Sequence, residues 1–205
     1  MKTNRDQLLV TAFKLFMSVN YEKASFAELG KMLGMTKSGI FKYYENKQEL
    51  FIAVVDKFWF SMQDPKNKFT ETNGTFAEFI DEYVNGVQRT MDTLGKLVGV
   101  DEDKTHGVLP YHARYFHFLF QLLQYDPKAK EKLHNMAAAD YAYWRAAIQR
   151  AIDTGELRKD VDVEEAIVMF RQVYMGLSFE MAFLGGLDTR LLSKHLHAVY
   201  SLLKS

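Results

Sequence analysis

Apolar residues recur at intervals of three and four along almost the whole chain, and prolines interrupt this spacing only at Pro65, Pro110 and Pro127. The spacing places apolar side chains on one face of a helix, whereas no segment alternates apolar and polar residues as a half-buried strand would. A chain of 205 residues with 48% hydrophobic side chains is long enough to bury a sizeable core. We therefore predict an all-α fold of about nine helices.

Capping residues predict where the first helices begin. Ser25 opens a Ser-Phe-Ala-Glu sequence, in which the serine and glutamate side chains of a capping box bind each other's backbone amides. Gly34 ends this helix, Thr36 caps a short second helix, and Asn46 caps a longer third one. Together with a helix over residues 5–18, they predict four helices in the first third of the chain.

Glycine, proline and aspartate residues divide the rest of the chain into five longer helices, with loops at residues 63–75 and 99–107. The helix that follows Pro110 is apolar nearly all round, which predicts a central position in the core. The five predicted helices span residues 76–94, 110–123, 127–153, 162–184 and 188–204.

Composition and missing motifs narrow the functional class. The chain has no cysteine, which excludes disulfides, thiolate zinc sites and cysteine nucleophiles. It shows no signal peptide and no run of roughly 18 apolar residues, so we predict a cytoplasmic protein without membrane contact. His195 and His197 are two residues apart and lie on different helix faces, which disfavours a shared metal site. Because the usual hydrolase, nucleotide-binding and metalloprotease motifs do not occur, we predict no enzyme, no cofactor and no metal.

The two short helices around Gly34 have the pattern of a helix-turn-helix. Residues 1–47 carry eight Lys and Arg residues against four Asp and Glu, whereas the remaining residues carry 18 against 22. The second helix begins Thr-Lys-Ser-Gly at residues 36–39, and such small polar side chains can reach base edges in a major groove. A glycine inside a helix costs about 1 kcal/mol relative to alanine, and close approach to DNA would explain Gly39. The pattern by itself leaves simple helix packing as an alternative.

At these residues the sequence resembles the TetR family of bacterial transcriptional regulators. The resemblance is carried by Arg5, Ala12, Phe13, Leu15, Phe16, Tyr21, Ser25, Leu29, Gly34, Met35, Thr36, Lys37, Phe41, Tyr44, Lys47, Gln48, Glu49 and Leu50. A weaker match lies at Gly155, Glu156, Leu157, Arg158, Asp160 and Asp162. The resemblance implies a three-helix helix-turn-helix DNA-binding domain at residues 1–47 and a helical effector-binding and dimerisation domain at residues 48–205.

The resemblance also implies roles for individual side chains. Ser25 and Thr36 would bind phosphate while capping their helices. The bases would be contacted by Lys37, Ser38 and Gly39, and the DNA backbone by Phe41, Lys42, Tyr43 and Lys47. Tyr44 is interpreted as core, and Tyr43 as pointing outward. The predicted DNA-binding residues are Ser25, Thr36, Lys37, Ser38, Gly39, Phe41, Lys42, Tyr43 and Lys47. The implied protein is a homodimeric repressor that binds a double-stranded operator and is released by a small-molecule effector.

Three positions depart from the family pattern. Asn20 stands where the family usually has glycine, which is tolerated because asparagine adopts the left-handed conformation. Gly30 replaces the usual alanine and loosens its helix, and Phe41 replaces a phosphate-binding tyrosine whose hydroxyl Tyr43 could supply. Gly30 and Phe41 suggest an alternative function, a helical small-molecule-binding protein that has lost DNA binding.

The predicted C-terminal domain is rich in aromatic residues that could line a cavity for a largely apolar or aromatic effector, with Gln88, Arg89 and His112 as polar anchors. Plain core packing is the alternative for each of them. The predicted pocket residues are Trp59, Phe79, Tyr83, Gln88, Met91, His112, Tyr115, Phe116, Phe120, Tyr141 and Trp144.

Apolar bands on the last two helices predict a four-helix dimer interface, with packing inside one chain as the alternative. The predicted interface residues are Met169, Phe170, Val173, Tyr174, Leu177, Met181, Leu184, Leu192, Leu196, Val199 and Leu203.

Overall fold

The structure is a computed structural model, and it describes residues 5–68, 74–98 and 111–205. Within these ranges the regular elements are helices, apart from one isolated antiparallel bridge between Leu157 and Lys204. The elements are α1 (Arg5–Lys23), α2 (Phe26–Leu33), α3 (Lys37–Phe41), α4 (Lys47–Val55), a π-helical turn (Asp56–Phe60), α5 (Ser61–Gln63), α6 (Pro65–Lys68), α7 (Phe76–Val98), α8 (Tyr111–Tyr125), α9 (Ala129–Asp153), α10 (Val163–Leu184) and α11 (Thr189–Leu203). The all-α prediction is confirmed for the described residues.

The predicted helices correspond closely to the observed ones. The π-helical turn joins α4 to α5, so the nine predicted helices are all present in the described ranges, and α6 adds a short helix in a predicted loop. The loop predicted at residues 99–107 lies outside the described residues. The side chains of Ser25, Thr36 and Asn46 cap α2, α3 and α4, and those of Asp162 and Asp188 cap α10 and α11.

The chain forms two compact units. The first comprises residues up to Met62 together with Leu94–Lys132, and the second comprises Gln63–Thr93 and Leu133–Ser205. The predicted boundary between residues 47 and 48 concerns the division of function, and it stays a prediction.

Aromatic contacts hold α1, α4 and α8 together in the first unit. The ring of Phe118 meets the rings of Phe13 and Phe51 edge-on, each at a centroid distance of 5.5 Å. The helix after Pro110 was predicted to be central in the core, but only one of its faces is buried, because Phe120 is 62% exposed and Leu123 is 54% exposed. α8 therefore buries one face against α1 and α4 and exposes apolar residues on another.

The second unit has an aromatic core. The ring of Trp144 stacks on Phe170 at 5.1 Å, and it meets Phe79 and Tyr83 edge-on, each at 5.0 Å. All four side chains are at most 5% exposed. Burial raises the pKa of the Tyr83 hydroxyl, since the apolar core disfavours its anionic form.

The carboxylate of Glu156 caps α7 from a distant part of the second unit. It accepts hydrogen bonds from the backbone amides of Phe76 (2.8 Å) and Ala77 (3.2 Å) and from the Tyr200 hydroxyl (2.9 Å). The first amides of a helix have no partner within the helix. Glu156 therefore satisfies two of them and links the start of α7 to α11.

α10 is long and apolar enough to cross a membrane by length and composition alone, a test that the core helix of a soluble protein also passes. Its apolar character has a structural explanation, because it carries apolar residues on two faces. Ile167 and Phe170 are buried in the core, whereas Met175 and Phe183 are 50% and 66% exposed.

Candidate nucleic-acid interface

A tight turn joins α2 to α3. Gly34 adopts the left-handed conformation (φ 64°, ψ 30°), and the amide of Met35 donates to the carbonyl of Gly30 at 2.9 Å. A Cβ atom added at Gly30 would lie 2.6 Å from the backbone carbonyl oxygen of Met35. The turn thus requires glycine at position 30, which explains this departure from the family pattern in structural terms.

The start of α3 is exposed and polar. Thr36 accepts a hydrogen bond from the Gly39 amide at 3.1 Å, and its hydroxyl lies 3.0 Å from that of Ser38. The side chains of Thr36, Lys37 and Ser38 are exposed, whereas Ile40 is completely buried and anchors the helix. α3 therefore presents its first turn outward while the opposite side is fixed in the core.

The end of α3 combines an apolar ring with polar groups. The Phe41 ring is 44% exposed, meets the Phe26 ring at 5.0 Å and lies 5.7 Å from the Lys37 ammonium. Lys42 is exposed and Tyr43 is 38% exposed. Tyr44 is buried and accepts a hydrogen bond from Arg5 at 3.0 Å, so the expected outward and inward positions of the two tyrosines are observed.

Ser25 lies at the start of α2, and its side chain is exposed. Its hydroxyl accepts a hydrogen bond from the Glu28 amide at 3.2 Å, as the capping box predicts. A hydroxyl in this role keeps its own hydrogen as a donor, which suits a phosphate contact.

Lys47 differs from the predicted phosphate contact, because its ammonium points into the first unit. The side chain is partly buried, and Nζ donates to the carbonyls of Tyr21 (2.8 Å), Glu22 (3.3 Å) and Ala24 (3.1 Å). Nζ also lies 4.4 Å from the centroid of the Tyr21 ring. Eight of the nine predicted DNA-binding residues lie at the N-cap of α2, at the N-cap of α3, in α3 or directly after it, whereas the Lys47 ammonium is directed inward.

Sequence reasoning missed the residues of α8 that hold the end of α1. The side chain of Gln121 is buried. It accepts a hydrogen bond from the Tyr21 amide and donates one to the carbonyl of His117. The Tyr125 ring stacks on the Tyr21 ring at 3.8 Å, and its carbonyl accepts from Gln48 at 2.9 Å. Apart from the hydrogen bond to His117, these contacts join residues 77 to 104 positions apart, and no local pattern in the sequence signals them.

The predicted pocket residues divide between the two units. Trp59 and Tyr115 meet in the first unit at a centroid distance of 5.4 Å, and Phe116 and Phe120 lie on the same helix as Tyr115. In the second unit Phe79, Tyr83 and Trp144 belong to the buried aromatic core, as the alternative of plain packing expected, and Met91 and Tyr141 pack against it. Gln88 is hydrogen-bonded to Asp92 and Thr189. The side chain of His112 lies outside what the structure describes.

Most of the predicted dimer residues pack against the core of their own chain. Phe170, Leu192 and Leu196 are completely buried, which removes them from any surface, and of the predicted set only Leu184 is largely exposed, at 69%. Most of the others are partly buried against the same core. The exposed apolar residues of the last two helices are instead Val168, Met175, Phe179, Phe183, Leu184 and Leu202. Among the described residues, no group of three or more His, Asp or Glu side chains is placed to hold a metal ion.

Comparison with known proteins agrees with the geometry of the helix-turn-helix at residues 25–44, which we call the reading head. The sequence profile of the "Bacterial regulatory proteins, tetR family" matches residues 8–54, which include α1, α2, α3 and nearly all of α4. Among curated protein sequences no match was found.

Several solved structures share the fold. A regulator from Saccharomonospora viridis in complex with choline is 17% identical, with 96% of this chain and 95% of that chain covered and a TM-score of 0.65. The ketosteroid transcriptional regulator KstR2 of Mycobacterium tuberculosis is 13% identical, with 100% and 97% covered and a TM-score of 0.64. The TetR family regulator PfmR from Thermus thermophilus is 16% identical, with 96% and 98% covered and a TM-score of 0.63. Residues 8–54 therefore match the N-terminal domain of the tetR family of bacterial regulatory proteins, and the chain shares the all-α fold of these solved structures.

Proposed function

We propose that this DNA-binding transcriptional regulator is a homodimeric, cytoplasmic repressor, which binds a pseudo-palindromic operator and leaves it when a small molecule binds. The observation that supports the DNA-binding part best is the first turn of α3. It is exposed, polar and capped, and buried Ile40 fixes it to a tightly closed turn. The N-terminal residues of a recognition helix contact base edges in this way.

Individual roles follow from exposure. Lys37, Ser38 and Gly39 face the bases, because they form the outward first turn of α3. The hydroxyls of Ser25 and Thr36 bind phosphates. At the far end of α3, Lys42 and Tyr43 contact the DNA backbone, and the exposed Phe41 ring contributes apolar contact there in place of a hydroxyl.

We infer that the partner on α10 is a second copy of this chain. Val168, Met175, Phe179 and Phe183 recur at helical spacing on an exposed face, and members of this family dimerise. Leu202 adds an exposed apolar side chain on α11. A two-fold axis relating such faces buries the same patch on both chains, and the dimer then carries two recognition helices, one for each half of a pseudo-palindromic operator.

For the effector we propose a site at Trp59 and Tyr115, for a largely apolar or aromatic small molecule. The indole N–H of Trp59 is buried and finds no acceptor among the residues that the structure describes. An unpaired buried donor is unusual and calls for an explanation, and a ligand acceptor would satisfy it. The neighbouring π-helical turn is a feature often found at functional sites.

Selection from a pool of random duplexes tests the DNA-binding proposal. The protein should enrich one inverted repeat, and its affinity for that duplex should fall steeply with salt, as expected when phosphates are neutralised. Lys37→Ala should change the enriched sequence, whereas Lys159→Ala, which removes an exposed positive charge from the second unit, should leave it unchanged. Absence of salt-dependent binding to any duplex would refute the proposal, and thermal stabilisation by small molecules without duplex binding would favour a ligand-binding protein that has lost DNA binding.

A further inference from the structure

We propose that Lys47 is a positioning residue for DNA reading, which holds the connection between α1 and α2 and does not itself touch DNA. The inference rests on the proposed function, since the connection supports the residues assigned to DNA. It replaces the phosphate contact that the sequence predicts for this lysine.

The ammonium of Lys47 has no hydrogen left for a phosphate. A lysine ammonium has three N–H donors, and those of Lys47 are directed at the carbonyls of Tyr21, Glu22 and Ala24, at 2.8, 3.3 and 3.1 Å. The Tyr21 ring lies 4.4 Å from Nζ and adds a cation–π contact. A phosphate would have to replace one of these partners.

The conformation of Asn20 explains why carbonyl groups are available to bind the Lys47 ammonium. Asn20 has φ 70° and ψ 171°, which interrupts α1 and turns the backbone of the following residues away from the helix. Its side-chain oxygen Oδ1 accepts a hydrogen bond from the Lys23 amide at 3.1 Å, which stabilises the turn. Carbonyls at the end of a helix lack partners within the helix and attract a cation. Lys47 supplies that cation from the first position of α4.

The connection leads directly into the reading head. The carbonyl of Ala24 binds Lys47, and the next residue is Ser25, whose hydroxyl caps α2. α2 in turn carries the turn that positions α3. On the other hand, the Tyr21 amide and ring are also held by Gln121 and Tyr125 of α8. Loss of the ammonium should therefore release residues 22–25 without unfolding the first unit.

Paired substitutions separate positioning from phosphate contact. Lys47→Met keeps a chain of similar length and removes the ammonium, and Lys42→Met removes the same charge from an exposed lysine of the reading head. For each variant, hydrogen exchange of the free protein is measured at the amides of residues 21–28. Affinity is measured from low to moderate salt on the duplex selected with the wild-type protein. Ile80→Val, in the core of the second unit, controls for general destabilisation.

In Lys47→Met, we expect hydrogen exchange at the amides of residues 21–28 to be about tenfold faster than in the wild-type protein. The variant should bind the duplex about tenfold more weakly, and the dependence of its affinity on salt should be unchanged. Lys42→Met should keep wild-type exchange and lose about 0.9 of the slope per chain. Ile80→Val should lower the melting temperature and keep the duplex affinity.

Two results would overturn the inference. Wild-type exchange in Lys47→Met with a slope lowered by about 0.9 per chain would make Lys47 a phosphate contact, and weaker binding by Ile80→Val to the same extent would reduce its role to general stability. Failure of the wild-type protein to bind any duplex would instead refute the proposed function itself.

Discussion

Glycine at position 39 is expected to serve DNA binding, whereas glycine at position 30 is required by the fold. A Cβ atom added at Gly39 would lie 3.4 Å from the Met35 side chain and 3.4 Å from the Thr36 hydroxyl, which is ordinary contact. The fold therefore accepts alanine at this position, and the proposed approach to DNA is what requires glycine. At Gly30 the added atom would lie 2.6 Å from a backbone carbonyl, so there the fold itself requires glycine.

These distances set the expected free energies. Alanine in place of a helical glycine stabilises by about 0.5–1 kcal/mol, so Gly39→Ala should raise the melting temperature by about 1–4 °C in a chain of this length. Gly30→Ala gains the same free energy from its higher helix propensity. Relieving the backbone clash costs about 1–3 kcal/mol, so the net effect should be a lower melting temperature. On DNA, the extra methyl of Gly39→Ala should weaken binding by about tenfold or more, equivalent to about 1.4 kcal/mol.

Thermal unfolding followed by circular dichroism, and titration of the selected duplex followed by fluorescence anisotropy, measure the two effects on the same samples. Higher stability together with weaker binding in Gly39→Ala is the expected combination. If Gly39→Ala binds as tightly as the wild-type protein, the glycine is not there for close approach. A drop in its stability would show that the space around Gly39 was misjudged.

Three further predictions concern other parts of the molecule. Phe183→Glu should shift the protein from dimer to monomer in sedimentation experiments, whereas the equally exposed Phe120→Glu should remain dimeric, and a dimeric Phe183→Glu would contradict the proposed α10 interface. Tyr200→Phe should lose about 1–2 kcal/mol of stability to urea with its hydrogen bond to Glu156. Burial and Glu156 raise the pKa of Tyr200, so the stability from its protonated form is complete below pH ~10 and is lost as pH rises through the folded pKa. The variant should thus lose less stability than the wild-type protein as the pH rises above about 10, and an equal loss would contradict the raised pKa. Asp126→Asn, which removes a buried charge paired with a lysine, should destabilise by about 1–3 kcal/mol, and an unchanged urea midpoint would show that the pair contributes nothing.

Local chemistry explains which features could be predicted from the sequence. Ser25, Thr36 and Asn46 were predicted as caps and are observed as caps, because the partner of a cap is a backbone amide two or three residues away. The outward position of Tyr43 and the buried position of Tyr44 follow in the same way from helical spacing.

Features that depend on distant residues could not be predicted. The partners of Lys47 lie 23 to 26 residues earlier, on carbonyls that are exposed to it only because Asn20 turns the backbone. Which side of α10 is exposed could not be predicted, because this helix has two apolar faces. Spacing identifies both faces, but only the packing of Phe170 against Trp144 shows which one the chain buries itself.

The π-helical turn at residues 56–60 has a consequence for how this chain aligns with others. Such a turn accommodates one residue more than a regular α-helical turn, and one residue corresponds to about 100° of rotation. Relative to a regular α-helix, the side chains after Phe60 are therefore rotated about the helix axis with respect to those of α4. A relative with one residue fewer here would form an uninterrupted helix and turn a different side chain to the position of Trp59, so insertions and deletions at this point would change the proposed effector site while the reading head stayed the same.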